Sequence, residues 1–393
     1  MNYARDIPDA SDIMNQYPFI DLGGFVMQFR KVREGSTELT VPVADIPEHA
    51  RKYGFYNPEM ETDRDISVAA LSVFIEMLRR RSSDAAFEPE VCDLLCATGA
   101  RGIRYRNEVG GIVTMCDANE NAIELAGKNA QANGVEAEIM SMDANLLLGE
   151  RKFDVIDIDP FGSPYPFIDS AARSISDFGL VCATATDTAA LFGVYPEVSE
   201  RRYGTPSMKC DFDKELGTRI LAGFIMREFA KYNICFTPML CYSRRHYVRI
   251  IGTAQRSAEK TEALIKKFSF LTAWKSRWDT GCREESGGSA LGKVYTGMLH
   301  DDDFCEEVLR ELEKRKLHGG KIVSTMLSES SCLFYYEADR LAKSLGIRMK
   351  MGDIIFSLQK SGFLASRTVF SDTGIKTNAS WEEMEGVFGH GPA

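Results

Sequence analysis

Polar and apolar residues alternate over Glu38–Val43, which predicts a short strand, and Pro42, lacking a ladder donor, puts it near a sheet edge. After Pro58 the spacing changes. Ile66, Ala69, Ala70, Phe74 and Leu78 share one face of a helix whose wet end is Arg79–Arg81. From Val91 strands and helices take turns: strands at Val91–Leu95, Gly111–Cys116, Glu138–Met142, Phe153–Ile158 and Gly179–Thr184, helices at Asn119–Asn133 and Pro166–Ile175. That rhythm predicts a mainly parallel sheet covered by helices. Leu216–Phe229 reads as a further helix and Pro238–Ile251 as strands closing the sheet.

The pattern loosens over Gly252–Glu259, so the chain divides into residues 1–254 and 255–393. In the second region residues 281–292 read as loop, and Asp301 or Asp302 caps a helix reaching Leu317 with Phe304, Val308, Leu309 and Leu312 inward. Helices at Glu337–Leu345 and Met351–Ser361 precede strands at Ala365–Phe370 and Ile375–Asn378 that flank the turn Ser371–Gly374. Helix, helix, hairpin is a winged-helix order, and the final residues 387–393 read as frayed.

Composition narrows the class. A chain of 393 residues with 44% hydrophobic and 26% charged residues is globular, and no apolar run approaches the about 18 residues of a membrane span. The start MNYARDIPDA lacks a signal-peptide apolar stretch, and ten scattered cysteines suit reduced thiols in a cytoplasmic chain. The formal charge is −10, yet residues 201–250 hold ten Lys and Arg against four Asp and Glu, and residues 340–380 hold seven against two. Two basic segments in an acidic chain fit either a restricted phosphate-binding face or solvated surface.

The candidate chemistry lies at strand ends. In Val91–Gly102 an acid, Asp93, precedes a turn of small residues including Thr98 and Gly99, where glycine lets the main chain approach a ligand. Asp117 follows the next strand and can accept both hydroxyls of a ribose, and Asp143 lies beyond the third, where it can bind an adenine amine. The topology alone suits a dinucleotide equally well, but GxGxxG is missing and Asp93 would face a pyrophosphate. A cationic ligand without phosphate, S-adenosylmethionine, fits the acids better. Phe153–Pro164 then brings a hydrophobic strand to Asp159, Pro160 and Phe161 at a tight turn. Asp159 and a main-chain carbonyl can hold an exocyclic amine in line with a methyl donor, and Phe161 can stack on its base. Cys92 and Cys96 read as core thiols; the chemistry needs no cysteine nucleophile.

At these residues the chain resembles the tRNA guanine-N2 dimethyltransferase family, archaeal members most closely. The similarity rests on FYNPEMETDRDISV (55–68), DLLCATGARGIR (93–104), CDANENAIELAGKNAQAN (116–133), DIDPFGSP (157–164), ATDTAALFG (185–193), ELGTRILAG (215–223), YYEADRLAKSLG (335–346) and SDTGIKTNA (371–379). It implies an α/β class I, Rossmann-like S-adenosylmethionine-dependent methyltransferase domain within residues 1–254, after an N-terminal lead of about 35 residues that the resemblance does not interpret. It also implies a smaller α+β tRNA-binding domain, with the winged-helix-like segment, over residues 255–393. Asp159 corresponds to the catalytic aspartate, with Phe161 beside it. Arg64 corresponds to the arginine near the cofactor carboxylate, Asp117 to the ribose acid, and Asp143 with Ala144 to the adenine-side pair. Arg101 and Arg104 receive no assignment.

Some members carry a cysteine-rich zinc insertion; here Cys282 stands alone in that zone and no metal is expected. Arg201, Arg202, Lys209, Arg244, Arg245, Arg249, Lys343, Arg348, Lys350, Arg367 and Lys376 are candidates for tRNA phosphates. Tyr335 and Tyr336 suit either base stacking or core packing. The expected protein is a cytoplasmic monomer acting on tRNA, with no membrane or obligatory protein partner. Methylation of another planar amine (adenine, cytosine or a glutamine amide) uses a similar acid-proline-aromatic turn, so Asp159–Phe161 alone leaves it open. A catalytically inert RNA-binding protein would also keep the fold.

Overall fold

The computed structural model describes residues 28–43, 54–273 and 289–388. Most of the N-terminal lead and Cys282, His49 and His390 lie outside these residues.

A seven-stranded sheet forms the centre, in the order β5-β4-β3-β6-β7-β9-β8. Its strands are β3 (Glu90–Asp93), β4 (Ile112–Asp117), β5 (Glu138–Ser141), β6 (Phe153–Ile158), β7 (Ile175–Ala185), β8 (Ile234–Arg244) and β9 (Tyr247–Arg256). The first five run parallel, and β9 enters antiparallel between β7 and β8. Parallel strands need covered faces, and the near-continuous Val, Ile, Leu and Cys content of β3, β6 and β7 is buried between helices. One layer contains helix Glu61–Ser82, the other helices Tyr165–Ser174 and Asp213–Ala230.

The strand foreseen at Glu38–Val43 is β2 (Thr37–Val43). It pairs with β1 (Gln28–Glu34), which the sequence pattern did not reveal, in a separate hairpin. Asn129 ties that hairpin to the sheet: its Oδ1 accepts from Thr40 N at 2.8 Å, and its Nδ2 donates to the carbonyls of Thr40 and Thr98.

Helix Asp302–Arg315 begins at the expected cap, with Asp301 Oδ1 accepting from Phe304 N at 2.9 Å. It and helix Gly320–Leu327, which the periodicity did not show, pack Phe304, Val308, Leu312, Val323 and Met326 into the core layer that contains helix Glu61–Ser82. Hydrophobic packing therefore runs across the division at residue 254. A separate core spans residues 338–388. There helices Ala338–Ser344 and Met351–Lys360 lie with the small sheet β12 (Tyr336–Glu337), β13 (Ala365–Arg367) and β14 (Gly374–Thr377), as the winged-helix order predicts. Two expectations need correction. Residues 289–292 are not loop but the start of strand β11 (Ser289–Tyr295), paired with β10 (Phe268–Ala273). Val387 and Phe388 are not frayed: they end helix Trp381–Phe388, and Phe388 is buried in the third core.

Candidate active site

The carboxyl ends of β3, β4 and β6 open on one cavity of about 480 Å³. This is where an open α/β sheet presents ligand-binding loops. Arg64, Asp93, Thr98, Asp117, Asp159, Pro160 and Phe161, all singled out from sequence, line it. A larger cavity of about 820 Å³ lies between Asp211–Phe212 and the winged-helix unit, and it contains none of the strand-end acids.

The cofactor turn is shaped by close approach. Ala97 and Gly99 both take positive φ, 47° and 76°, so the main chain doubles back before helix Ala100–Glu108. A Cβ on Gly102 would stand 2.6 Å from Met115 Cγ and 3.1 Å from Asp93 Oδ2, so only glycine lets this helix press on the strand ends. Asp117 braces the turn: Oδ2 accepts from Ala97 N at 3.0 Å and Oδ1 from Asn119 N at 2.9 Å. Each oxygen keeps a lone pair for a diol. Asp93 is almost fully buried, with Oδ2 accepting from Gly102 N at 2.8 Å. Burial, and then the charge of Asp157, push its carboxyl up to about 7. A buried acid with so little compensation suits a cationic ligand.

Arg64 lines the same cavity but is committed on one side. Its Nε donates to Glu34 Oε2 at 2.7 Å and its Nη2 to Glu34 Oε1 at 2.5 Å, while Tyr56 Oη donates to Glu34 at 2.6 Å. Burial pushes the Glu34 carboxyl up, but the Arg64 guanidinium outweighs it and holds it below the usual range. The N-terminal lead thus supplies a buried acid that orients Arg64.

Three expected cofactor residues do not line the cavity. Gly99 is packed between Ile103 and Ala126. Asp143 caps helix Ala144–Glu150, accepting from Asn145 N at 2.9 Å, and Ala144 is buried in a hydrophobic core.

At the substrate side β6 ends in Asp159, a quarter exposed, followed by buried Pro160 and half-exposed Phe161. Phe55 meets the Phe161 ring edge-on, centroids 4.7 Å apart. Gly162 N donates to Thr186 Oγ1 at 2.8 Å, and Thr186 N to Gly162 O at 2.7 Å, so the Asp-Pro-Phe-Gly turn is bonded to the end of β7. Burial, then Asp93, push the Cys92 and Cys96 thiols well up, so neither is a nucleophile at neutral pH.

The basic candidates separate by exposure. Arg201, Arg244, Arg245, Lys343, Arg348, Lys350 and Arg367 are exposed. Arg202 is partly buried and pairs with Asp187 at 2.8 Å, and exposed Lys209 and Arg245 pair with Asp213 and Glu59. Two are corrections. Arg249, on β9, is completely buried, its side chain donating to Asp157 Oδ1 and Oδ2 of β6 at 2.8 and 2.6 Å. Lys376 is buried between Glu215 and Glu329. Neither reaches a phosphate, because each neutralises acids inside the fold. Tyr335 is likewise core. Sequence reasoning missed Phe55, Asn57, Thr186 and, above all, Arg101 on the cavity wall. All four lie inside stretches that carry the family resemblance, but no local pattern marks them as facing one cavity.

Residues 35–388 match the family described as N2,N2-dimethylguanosine tRNA methyltransferase. The tRNA (guanine(26)-N(2))-dimethyltransferase of Methanosarcina barkeri is 33% identical over 388 residues, 92% of this chain and 98% of that protein. The enzyme of that name from Methanobrevibacter smithii is 34% identical over 390 residues, 92% and 97% of the two chains. Trm1 from Pyrococcus horikoshii, solved with S-adenosyl-L-methionine, superposes with a TM-score of 0.80 at 31% identity, covering 91% of this chain and 99% of that one. With a match over residues 35–388 and the strand-end acids gathered at one cavity, the chain belongs to the N2,N2-dimethylguanosine tRNA methyltransferase family.

Proposed function

We infer that the chain transfers methyl groups from S-adenosylmethionine to the exocyclic N2 amine of guanosine 26 in tRNA, forming N2-methyl- and then N2,N2-dimethylguanosine. The observation that carries the reading is the Asp159 carboxylate on the wall of the cavity that also holds Asp93 and Asp117. S-adenosylmethionine, when bound, supplies an electrophilic methyl group on a sulfonium.

The residues present fit it. Asp117 would accept from the ribose hydroxyls, Asp93 would balance positive charge, and Arg64 would hold the carboxylate end. A guanine amine is a weak nucleophile because its lone pair is delocalised into the ring. Asp159 accepts one N–H, orients the amine, and favours the positive charge that develops on nitrogen as the bond to carbon forms. It then takes the released proton and passes it to water. Phe161 supports the base by stacking once it has left the RNA helix.

Exposed Arg201, Arg244 and Arg245 lie on the catalytic side of the chain, and Lys343, Arg348, Lys350 and Arg367 on the winged-helix side. We read both sets as phosphate contacts that fix tRNA by shape, with the winged-helix unit as the RNA-facing part of residues 255–393. No described helix is long and apolar enough to cross a membrane.

The test is to incubate the protein with unmodified tRNA and labelled S-adenosylmethionine, digest, and identify the modified nucleoside and its position. N2,N2-dimethylguanosine at position 26 is expected. Label in adenosine or cytidine instead would sink the reading.

A further inference from the structure

The cavity wall contains a buried cation that the reaction as described leaves without a role. Arg101 is 4% exposed. Its Nη2 donates to Asp159 Oδ2 at 2.6 Å and to Asp63 Oδ2 at 2.8 Å, and its Nη1 donates to Ser67 Oγ at 2.8 Å. Asp157 lies 3.8 Å from the same guanidinium. The anchors are themselves held: Asp63 accepts from Tyr242 Oη at 2.7 Å, and Asp157 from Tyr105 Oη at 2.5 Å and from Arg249. Of the three carboxylates around Arg101, the Asp63 and Asp157 side chains are 0% exposed and that of Asp159 is 24% exposed. Only Asp159 can meet a substrate. Among the described residues, no group donates to its Oδ1.

We propose that Arg101 is a positioning residue for methyl transfer, fixing Asp159 through Oδ2 so that Oδ1 is the oxygen offered to the guanine N2–H. This rests on the reading of Asp159 given above. The planar guanidinium is tied at Asp63 and Ser67, so it cannot turn with the carboxylate it holds. A lysine ammonium would keep the charge but could not meet Asp159, Asp63 and Ser67 from one fixed plane. In each transfer the N–C bond forms as the C–S bond breaks, and the N2 proton goes to Oδ1 and then to water.

The two transfers make unequal demands on that placement. The unmethylated amine has two N–H groups, either of which can find Oδ1. The monomethylated amine has one. A loosened carboxylate therefore slows the second transfer more than the first, a signature that simple loss of folded protein does not give.

The experiment is single-turnover methylation of unmodified tRNA by the wild type, Arg101→Lys, Arg101→Ala and Asp159→Asn, with product nucleosides quantified and S-adenosylmethionine affinity measured by calorimetry. In Arg101→Lys the first transfer is expected to slow about 100-fold while cofactor affinity and tRNA KM stay within about threefold. N2-methylguanosine should accumulate over the dimethyl product, and added methylguanidine should restore part of the Arg101→Ala rate. Asp63→Asn, which loosens Arg101 without removing it, should give the same product shift to a smaller degree. Wild-type rate and product ratio in Arg101→Lys would overturn the proposal, as would a loss confined to cofactor or tRNA binding. An inactive Asp159→Asn beside a fully active Arg101→Lys removes Arg101 alone. A fully active Asp159→Asn removes the reading of Asp159 itself.

Discussion

Replacing Asp93 by asparagine should flatten the pH dependence of cofactor binding. In the cofactor-free protein the Asp93 carboxyl is raised to about 7, by burial first and the neighbouring Asp157 second. Binding a cation beside it favours the ionised form, so binding must expel whatever proton Asp93 still carries. At about pH 6 roughly ten of eleven Asp93 carboxyls are protonated, and at about pH 7.5 roughly one in four. If the bound form titrates well below about 6, the affinity of the wild type rises about eightfold across that interval and then levels off.

The same shift acts on stability with the opposite sense. A carboxyl raised from 3.8 to about 7 by folding contributes roughly 4 kcal/mol below the unfolded pKa, and this is lost as pH rises through about 7. Asp93→Asn should therefore unfold at a higher temperature than wild type at about pH 7.5 without cofactor, and gain less on adding it. Isothermal titration in matched buffers checks the binding profile and thermal unfolding at the same pH checks the stability, each with and without the substitution. A flat wild-type profile, or an unchanged slope in Asp93→Asn, would refute the reasoning.

Asp117→Ala removes the acceptor for a diol and the brace on Ala97, and should weaken S-adenosylmethionine binding about 10- to 100-fold; unchanged calorimetric affinity would remove Asp117 from the site. Arg249→Met leaves buried Asp157 only the more distant Arg101 guanidinium, 3.8 Å away, and should cost about 3 kcal/mol in urea unfolding, and a loss under about 1 kcal/mol would count against that pairing. Arg101 and Arg249 overcome the effect of burial and hold Asp157 below the usual carboxylate range. That stability is present above the ordinary carboxylate pKa and lost as pH falls through the depressed one, so the Arg249→Met penalty should shrink in acid. Phe161→Ala gives up the stacking surface of a half-exposed ring, about 1–3 kcal/mol, so kcat/KM for tRNA should drop while cofactor affinity holds.

What could be read from sequence follows the range of the interactions involved. The sheet strands, the long helix after Pro58 and the winged-helix order were legible because periodicity and turn residues are local signals. The acids Asp93, Asp117 and Asp159 were legible because each ends a strand, and a parallel sheet brings strand ends together. Arg249 and Lys376 were misread because a charge in a basic segment looks the same whether it faces water or neutralises a distant acid. The partners Asp157 and Glu215 lie 92 and 161 positions away. Asp143 had a local explanation as a helix cap, and its side chain is used in that way. Helix Gly320–Leu327 escaped because it is short and begins at two glycines, one of them at positive φ. Arg101 stayed unassigned because its role depends on Asp63, Ser67 and Asp159 meeting in space.

The buried charges also bear on how the chain folds. Asp63, Arg101, Asp157 and Arg249 belong to helix Glu61–Ser82, helix Ala100–Glu108, β6 and β9, four elements spread over most of the catalytic half. A partly assembled sheet with β9 undocked leaves Asp63 and Asp157 in its interior sharing the single Arg101 guanidinium, one buried negative charge uncompensated, at a cost of several kcal/mol. Intermediates of that kind are therefore penalised, and the transition becomes more nearly all-or-none than hydrophobic collapse alone would make it. The four charges act as a checksum on assembly: they cancel only when both helices, β6 and β9 are in place together.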